Sequence, residues 1–239
     1  MNAGRKAIRA LGFVLLWFGI LLAMALAIAG TWADLEAAFY GFPVLGNVSL
    51  PGFHCPVLMT ASEVGTVTLT LKNPTDKPIP FYVHADISTR GVARELRTQV
   101  PVAPGKKERV VWTVTSADVD LGFFIFVMGA TYPAYPYPYR QSACGILVLD
   151  LPGLTGNQVF SLALVISVLS MLGGLRLWTV SNRPLEGRRR SATAAVALLA
   201  LVVLAALLVS ILGAWMAGVI LLALAVLTIT SILFLVLAN

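Results

Sequence analysis

The chain has 239 residues, of which 58% are hydrophobic and only 12% are charged, and its mean hydropathy is +0.87. Because an ordinary soluble domain carries about 25% charged residues, the excess apolar surface is expected to face lipid. This composition excludes a wholly soluble protein and predicts several membrane-spanning segments.

The net charge of +6 is unevenly distributed along the chain. Residues 34–150 contain nine basic and ten acidic residues, whereas the rest of the chain contains eight basic residues and only one acidic residue, Glu186. Positive charge that flanks apolar segments indicates membrane orientation rather than affinity for nucleic acid. We therefore expect no nucleic-acid partner, and we expect the basic segments to face the cytoplasm.

The first apolar run covers residues 10–33, is uncharged, and is long enough to cross a bilayer as one helix. Three basic residues lie in the preceding segment 1–9: Arg5, Lys6 and Arg9. They predict a cytoplasmic N-terminus. A cleaved signal peptide is the alternative, because residues 27–30 (AIAG) resemble a cleavage site. We favour a retained helix, since the apolar region of a signal peptide has only about 7–15 residues.

Three further spans are predicted after the polar middle of the chain, over residues 154–177, 192–212 and 218–238. Residues 178–191 form a basic cytoplasmic loop, and residues 213–217 form a short outer turn. The basic residues that set this orientation are Arg183, Arg188, Arg189 and Arg190. Both termini are then cytoplasmic, in a multi-pass protein of the inner or plasma membrane. The Ala-, Leu-, Val- and Arg-rich, Lys-poor composition favours a bacterial source.

The predicted spans contain no Asp, Glu, Lys or His, and Arg176 lies at a helix end. Since proton relays and cation pathways need ionisable groups within the membrane, a transporter or pump is not expected. Small residues such as Ala23, Ala27 and Gly30 share one helix face and favour close helix packing, although Ala is also common in such helices. Several hydroxyl residues could line a path through an oligomer: Ser161, Ser167, Ser170, Thr228, Thr230 and Ser231.

The middle of the chain is predicted to form an outer linker, residues 34–54, and a β-domain, residues 55–150. Apolar and polar residues alternate over 67–72, 81–87 and 110–114, which is typical of strands with one buried face. Turn-forming sequences separate these runs. Six or seven short strands at this spacing predict an immunoglobulin-like sandwich inserted between the first and second helices.

The two cysteines, Cys55 and Cys144, both lie in the β-domain, which predicts one disulfide in an oxidising compartment. Two free thiols are the alternative. A thiol catalytic pair of His54 and Cys55 is disfavoured, because adjacent residues of an extended chain point apart. A metal site would need both cysteines free and close to His54 and His84. We therefore expect no metal and no cofactor, and we expect His84 to face solvent.

The most unusual segment alternates proline and tyrosine near the end of the β-domain. A stiff, extended loop of this kind loses little entropy on binding, and Tyr and Arg are frequent in binding hot spots. We predict a partner-binding loop that contains Tyr132, Tyr135, Tyr137, Tyr139 and Arg140. A loop packed on its own domain and an aromatic belt at the membrane surface are the alternatives.

These patterns favour a non-catalytic membrane protein, an accessory or assembly subunit embedded in the lipid bilayer. Its partners would be other membrane or extracytoplasmic proteins, or further copies of itself. A self-associating channel-like or lipid-handling protein is the alternative, and an enzyme is not expected because no catalytic constellation is found. The order of one helix, a β insert and three helices is similar in layout to claudin-like four-span proteins. The chain lacks their short first loop, which carries a Trp-containing signature and paired cysteines, so we assign no family.

Overall fold

The computed structural model describes residues 3–43, 48–133, 138–183 and 187–237. The chain divides into two compact units. One unit combines Met1–Thr31 with Phe160–Asn239 and is helical, and the other, Trp32–Val159, contains the β-sheets.

Within the described residues, four helices are long and apolar enough to cross a membrane. They are α1 (Ala3–Phe39), α2 (Gly156–Ser181), α3 (Gly187–Ile211) and α4 (Trp215–Leu237). Helix α1 extends beyond the predicted span 10–33 at both ends. Between α3 and α4, Gly213 has a φ of +72°, the left-handed conformation that commonly ends a helix. Because α4 already begins at Trp215, this turn is shorter than the predicted 213–217.

Small residues bring α1 and α2 into backbone contact within the helical unit. A Cβ atom added at Gly174 of α2 would lie 2.4 Å from the backbone nitrogen of Leu16. Nearby, the Ser167 hydroxyl donates a hydrogen bond of 2.8 Å to the carbonyl oxygen of Gly19. Close backbone contact and interhelical hydrogen bonds are the main sources of helix association in lipid, where hydrophobicity gives no drive.

Alanines of the helical unit also contribute to its buried core, as their spacing predicts. Those that are buried include Ala23, Ala27, Ala200 and Ala206. The apolar side chains that surround them include Leu16, Ile20, Leu199 and Val203. The remaining large side chains of these helices are mostly exposed, as expected for surfaces that would face lipid.

We expect Gly174→Ala to destabilise the helical unit by about 1–3 kcal/mol, because the added methyl group overlaps the α1 backbone. The neighbouring Gly173→Ala is a matched control, since a Cβ at Gly173 has no atom within 4 Å. In a helix interior this control should be neutral or slightly stabilising. Unfolding of the full-length protein in mixed detergent and SDS measures both effects, and equal stability of the two variants would contradict this packing.

The other unit contains nine strands within the described residues. They are β1 (Val48–Ser49), β2 (Phe53–His54), β3 (Leu58–Thr60), β4 (Gly65–Lys72), β5 (Ile79–Ile87), β6 (Arg94–Val102), β7 (Lys107–Val114), β8 (Phe124–Pro133) and β9 (Arg140–Leu149). The larger sheet has the order β1-β9-β8-β5-β6, and β3 also pairs with β9. The smaller sheet has the order β2-β4-β7. Strands β1 and β3 run parallel to β9, and the other pairs are antiparallel.

The two sheets enclose a common hydrophobic core. Alternate residues of β5 point into it from the larger sheet: Phe81, Val83, Ala85 and Ile87. The smaller sheet contributes Val67, Leu69 and Trp112. The alternation of apolar and polar residues therefore determines which residues of these strands enter the common core. A separate β-sheet domain, as predicted, is confirmed.

The last turns of α1 pack on the larger sheet, on the face opposite this core. Ala33 lies against the rings of Phe124 and Phe126 of β8. This approach requires a glycine at position 145 of β9, because a Cβ atom there would lie 2.0 Å from the carbonyl oxygen of Ala33. The segment 34–54 was predicted as a linker. It begins instead as the end of a helix and later contains β1 and β2.

Cys55 and Cys144 form a disulfide, which confirms the prediction and excludes the alternative of two free thiols. Cys144 lies in β9, and Cys55 directly follows β2 of the smaller sheet. Both cysteines pack against the common core. The bond therefore links the two sheets.

We expect reduction of the Cys55–Cys144 bond to lower the free energy of unfolding of the β-domain by about 4 kcal/mol. The reason is that the bond restricts an unfolded chain over a sequence separation of 89 residues. Urea titration with and without reductant, followed by hydrogen exchange of the β4 and β7 amides, measures the change. A Cys55→Ala/Cys144→Ala double variant should match the reduced protein and be insensitive to reductant, and an unchanged midpoint on reduction would contradict the expectation.

Candidate functional site

Four ionisable side chains meet on the face of β5 and β6 that lies opposite the common core. His84 and Asp86 are separated by two positions on β5, so both point to this face. In the hairpin register Asp86 pairs with Glu95, and His84 pairs with Arg97. The strand geometry therefore collects one imidazole, two carboxylates and one guanidinium in one patch, which we call the His84 cluster (His84, Asp86, Glu95 and Arg97).

The two carboxylates of the His84 cluster converge on a single ring nitrogen. His84 Nε2 lies 2.9 Å from Asp86 Oδ1 and 3.1 Å from Glu95 Oε1. Arg97 Nε donates a 2.6 Å hydrogen bond to the same Glu95 Oε1, and its Nη2 forms an ion pair with that oxygen. His84 and Asp86 are each only 6% exposed, whereas the Glu95 side chain is 46% exposed. The prediction that His84 faces solvent is therefore wrong.

The His84 cluster forms part of the lining of a cleft of about 700 Å³. One wall consists of residues 40–43, which directly follow α1, and another consists of residues 91–93 of the β5–β6 hairpin. Tyr132 and Tyr139 complete the lining. The walls and neighbouring side chains cover His84 even though it points away from the hydrophobic core.

Three contacts hold residues 40–43 against the larger sheet. The Tyr40 hydroxyl donates a 2.5 Å hydrogen bond to Asp120 Oδ2, and the Tyr40 ring centroid is 4.6 Å from that of Phe126. Gln141 Nε2 donates a 3.0 Å hydrogen bond to the carbonyl oxygen of Pro43. Burial and the hydrogen bond to Asp120 together raise the pKa of Tyr40 to about 12, which keeps this donor protonated.

The tyrosines at the two ends of the Tyr-Pro segment stand together at the cleft. The ring centroids of Tyr132 and Tyr139 are 5.0 Å apart, and Tyr82 lies 6.2 Å from Tyr132. The Tyr139 hydroxyl is buried and has no hydrogen-bond partner in the described part of the chain. Burial raises the pKa of Tyr139 to about 12, and the nearby Tyr132 and Asp86 act in the same direction.

Tyr139 should make the β-domain sensitive to alkaline pH. An unfolded chain releases a tyrosine proton near pH 10, whereas the folded protein retains it until about pH 12. The folded state therefore binds more protons between these values, and the free energy of unfolding falls as pH rises through this window. We expect Tyr139→Phe to make this fall shallower in urea titrations from pH 9 to 11.5. An identical slope in the variant and the wild type would contradict the raised pKa.

The other predicted binding residues are placed differently. Tyr135 and Tyr137 lie outside the described residues. Arg140 begins β9, where it pairs with Val48 of β1 and Thr131 of β8. The structure thus brings the rings of Tyr132 and Tyr139 together, and Arg140 directly follows Tyr139 at the start of β9.

The predicted orientation residues lie in the helical unit. Arg5, Lys6 and Arg9 are exposed on α1, and the Arg9 guanidinium lies 5.4 Å from the ring centre of Trp178. Arg183 and Arg190 are exposed near the ends of α2 and α3. Arg188 and Arg189 lie in α3, but their side chains are outside the described part of the structure.

The alternative metal set considered in the sequence does not form. Cys55 and Cys144 are joined to each other, and His54 is exposed on β2 of the smaller sheet.

Asp86, Glu95 and Arg97 were not recognised from the sequence as site residues. The signal that could have found them is the H-x-D pattern on one strand face, followed by E-x-R on the strand after the Arg90-Gly91 turn.

Comparison of the sequence with protein-family models and with curated proteins finds no match. Among solved structures, β-glucuronidase 2 of Bacteroides uniformis is similar over 41% of this chain and 14% of its own, with 11% identity and a TM-score of 0.31. The CARDB domain of a Pyrococcus furiosus protein, solved in complex with di-metal ions, is similar over 41% of this chain and 90% of its own, with 10% identity and a TM-score of 0.30. A β-glucosidase of Listeria innocua is similar over 41% of this chain and 15% of its own, with 17% identity and a TM-score of 0.28. Likenesses at this level assign neither a family nor an activity.

Proposed function

We propose that this chain is a non-catalytic integral membrane protein whose β-domain binds a partner protein on the outer face of the cell membrane. In this proposal it is an accessory or assembly subunit of a larger membrane complex. Its four apolar helices would anchor it as a multi-pass protein with cytoplasmic termini. The partner would be another membrane or extracytoplasmic protein.

Three observations support the proposed membrane anchoring and the proposed location of the β-domain outside the cell. The four helices have the length and composition of membrane spans. The basic residues outside the β-domain are concentrated near the helix ends, as in cytoplasmic loops. The disulfide lies in the β-domain and favours an oxidising compartment for it.

We further propose that the two sheets form an immunoglobulin-like sandwich. Both sheets contribute to one core, and most strand pairs are antiparallel. The disulfide links β9 of one sheet to the residue after β2 of the other. The loops of such sandwiches often serve in recognition, and the fold by itself does not specify an activity.

The cleft is the observation that carries the binding proposal. Two tyrosine rings, at positions 132 and 139, line it together with two carboxylates and an exposed guanidinium. Tyrosine supplies a large contact area with only two side-chain torsions to fix, so little entropy is lost on binding. The rings stand at the ends of the Tyr-Pro segment, and that segment together with the cleft would form the contact surface.

A channel-like or lipid-handling function is less well supported. The hydroxyls of Thr228, Thr230 and Ser231 donate hydrogen bonds of 2.7, 2.9 and 2.8 Å to carbonyl oxygens of their own helix. Hydroxyls engaged in this way offer little to a solute or an ion. Ser167 is similarly engaged by the Gly19 carbonyl oxygen of α1.

We expect purification of the full-length protein from its native membrane in mild detergent to recover a stoichiometric membrane-protein partner. Deleting residues 133–138, or replacing Tyr132 and Tyr139 by Ala, should lower its recovery at least about tenfold, as expected for loss of hot-spot tyrosines. Val111→Ala is the matched control, because Val111 is an exposed apolar residue of the smaller sheet. Quantitative mass spectrometry measures recovery, and an unchanged midpoint in the urea titration of the β-domain shows that each variant is folded.

Undiminished recovery with both Tyr variants would contradict the proposed contact surface. Recovery of this chain alone, or only of copies of itself, from the wild-type membrane would contradict the subunit proposal. Conductance measurements in liposomes would then test the self-associating alternative.

A further inference from the structure

We propose that His84, Asp86 and Glu95 bind one divalent transition-metal cation, of the Zn²⁺ or Mn²⁺ type, at the cleft. The three side chains offer one imidazole nitrogen and two carboxylate oxygens that lie within 4.8 Å of one another. This inference does not depend on the identity or existence of the proposed partner protein.

The distances from the imidazole nitrogen to the two carboxylate oxygens match those expected around a shared cation, and all three ligand atoms lie within 4.8 Å of one another. Atoms bound at about 2.1 Å to one metal ion, with angles of about 90–110° between them, lie about 3.0–3.4 Å apart. His84 Nε2 lies 2.9 Å from Asp86 Oδ1 and 3.1 Å from Glu95 Oε1. Small side-chain rotations would therefore be sufficient to coordinate an ion.

Without a cation, the three side chains would have to satisfy one another by hydrogen bonds alone, and this arrangement is less favourable. A single N–H on His84 Nε2 would have to be shared between two carboxylate oxygens, so neither bond would be well directed. Asp86 is buried, and a buried carboxylate needs strong compensation for its lost hydration. A cation placed between the three atoms would interact favourably with both carboxylates at once.

The charge of the cleft also favours a cation. Among the described residues, Arg97 forms an ion pair with Glu95, and no arginine or lysine forms one with the buried Asp86. The Arg97 side chain is 70% exposed, so it can release Glu95 Oε1 towards solvent. A bound divalent ion would replace Arg97 as the partner of Glu95.

The strand that carries His84 and Asp86 holds the proposed ligands rigidly, and the cleft gives an ion access to them. His84 and Asp86 lie on β5, an interior strand of the larger sheet that is paired on both edges, so their positions are well defined. The cleft provides an entry path. The buried Tyr139 hydroxyl, which lines the same cleft, could form a hydrogen bond with a metal-bound water.

The donor set selects among cations. Imidazole with carboxylates suits Zn²⁺, Mn²⁺ and Fe²⁺, whereas Ca²⁺ and Mg²⁺ prefer sites made only of oxygen ligands. Three protein ligands also leave at least one coordination position for water. No thiolate takes part, since both cysteines are in the disulfide.

Isothermal titration of Zn²⁺ into the full-length, untagged protein in detergent tests the proposal directly. We expect one Zn²⁺ per chain with a Kd in the micromolar range or below, and no competition from Ca²⁺. Glu95→Gln and His84→Gln should each weaken binding at least about tenfold, because changes even beyond the ligands cost 10–100-fold at such sites. His54→Gln is the matched control, since His54 is the other histidine of the chain and is exposed on the smaller sheet.

A Co²⁺ titration adds a readout of coordination, because visible absorption bands should appear with the wild type and His54→Gln and be lost with Glu95→Gln. Glu95 is half exposed, so this variant is expected to fold even if His84→Gln does not. Absence of Zn²⁺ binding by the wild type would overturn the proposal and leave a histidine–carboxylate ion-pair network. Binding that survives Glu95→Gln, or that is lost in His54→Gln, would overturn it as well.

Discussion

The close approach of the α1 backbone to β9 is the constraint on which the candidate site depends. It is possible only because Gly145 has no side chain, since a Cβ atom there would lie 2.0 Å from the carbonyl oxygen of Ala33. Asp34 strengthens the same contact by accepting a 3.1 Å hydrogen bond from the Gly145 amide. With the helix end fixed in this position, residues 40–43 continue along the sheet and become a wall of the cleft.

The outer face of the larger sheet therefore has two parts with different chemistry. Under the end of α1 it is aromatic, with Phe124 and Phe126 in contact with alanines of the helix. Beyond the helix end it is polar, with His84 and Asp86 on the neighbouring strand. Tyr40 joins the two parts, because its ring contacts Phe126 and also lines the cleft. The aromatic part fixes the helix end, and the polar part supplies groups that can bind a ligand.

The sequence was sufficient for the large features of the fold and insufficient for the site. Uncharged runs of helix-forming residues predict the four long helices, and period-two alternation predicts which residues of β5 enter the core. That pattern also turns His84 away from the core, and from this we expected exposure to solvent. Its burial arises from long-range packing, because residues 40–43 lie beside it only after α1 has docked. The pairing of Asp86 with Glu95 likewise depends on the hairpin register, which composition does not specify.

Hydrogen exchange of a Gly145→Ala variant tests the central constraint most directly. If the α1 backbone rests on Gly145, the added methyl group must displace residues 32–43, and their amides should exchange faster while those of β5 keep their protection. The cleft would then lose one wall without unfolding of the sheet. Unchanged exchange over residues 32–43 in the variant would show that the end of α1 does not rest on β9, and would contradict this account of the site.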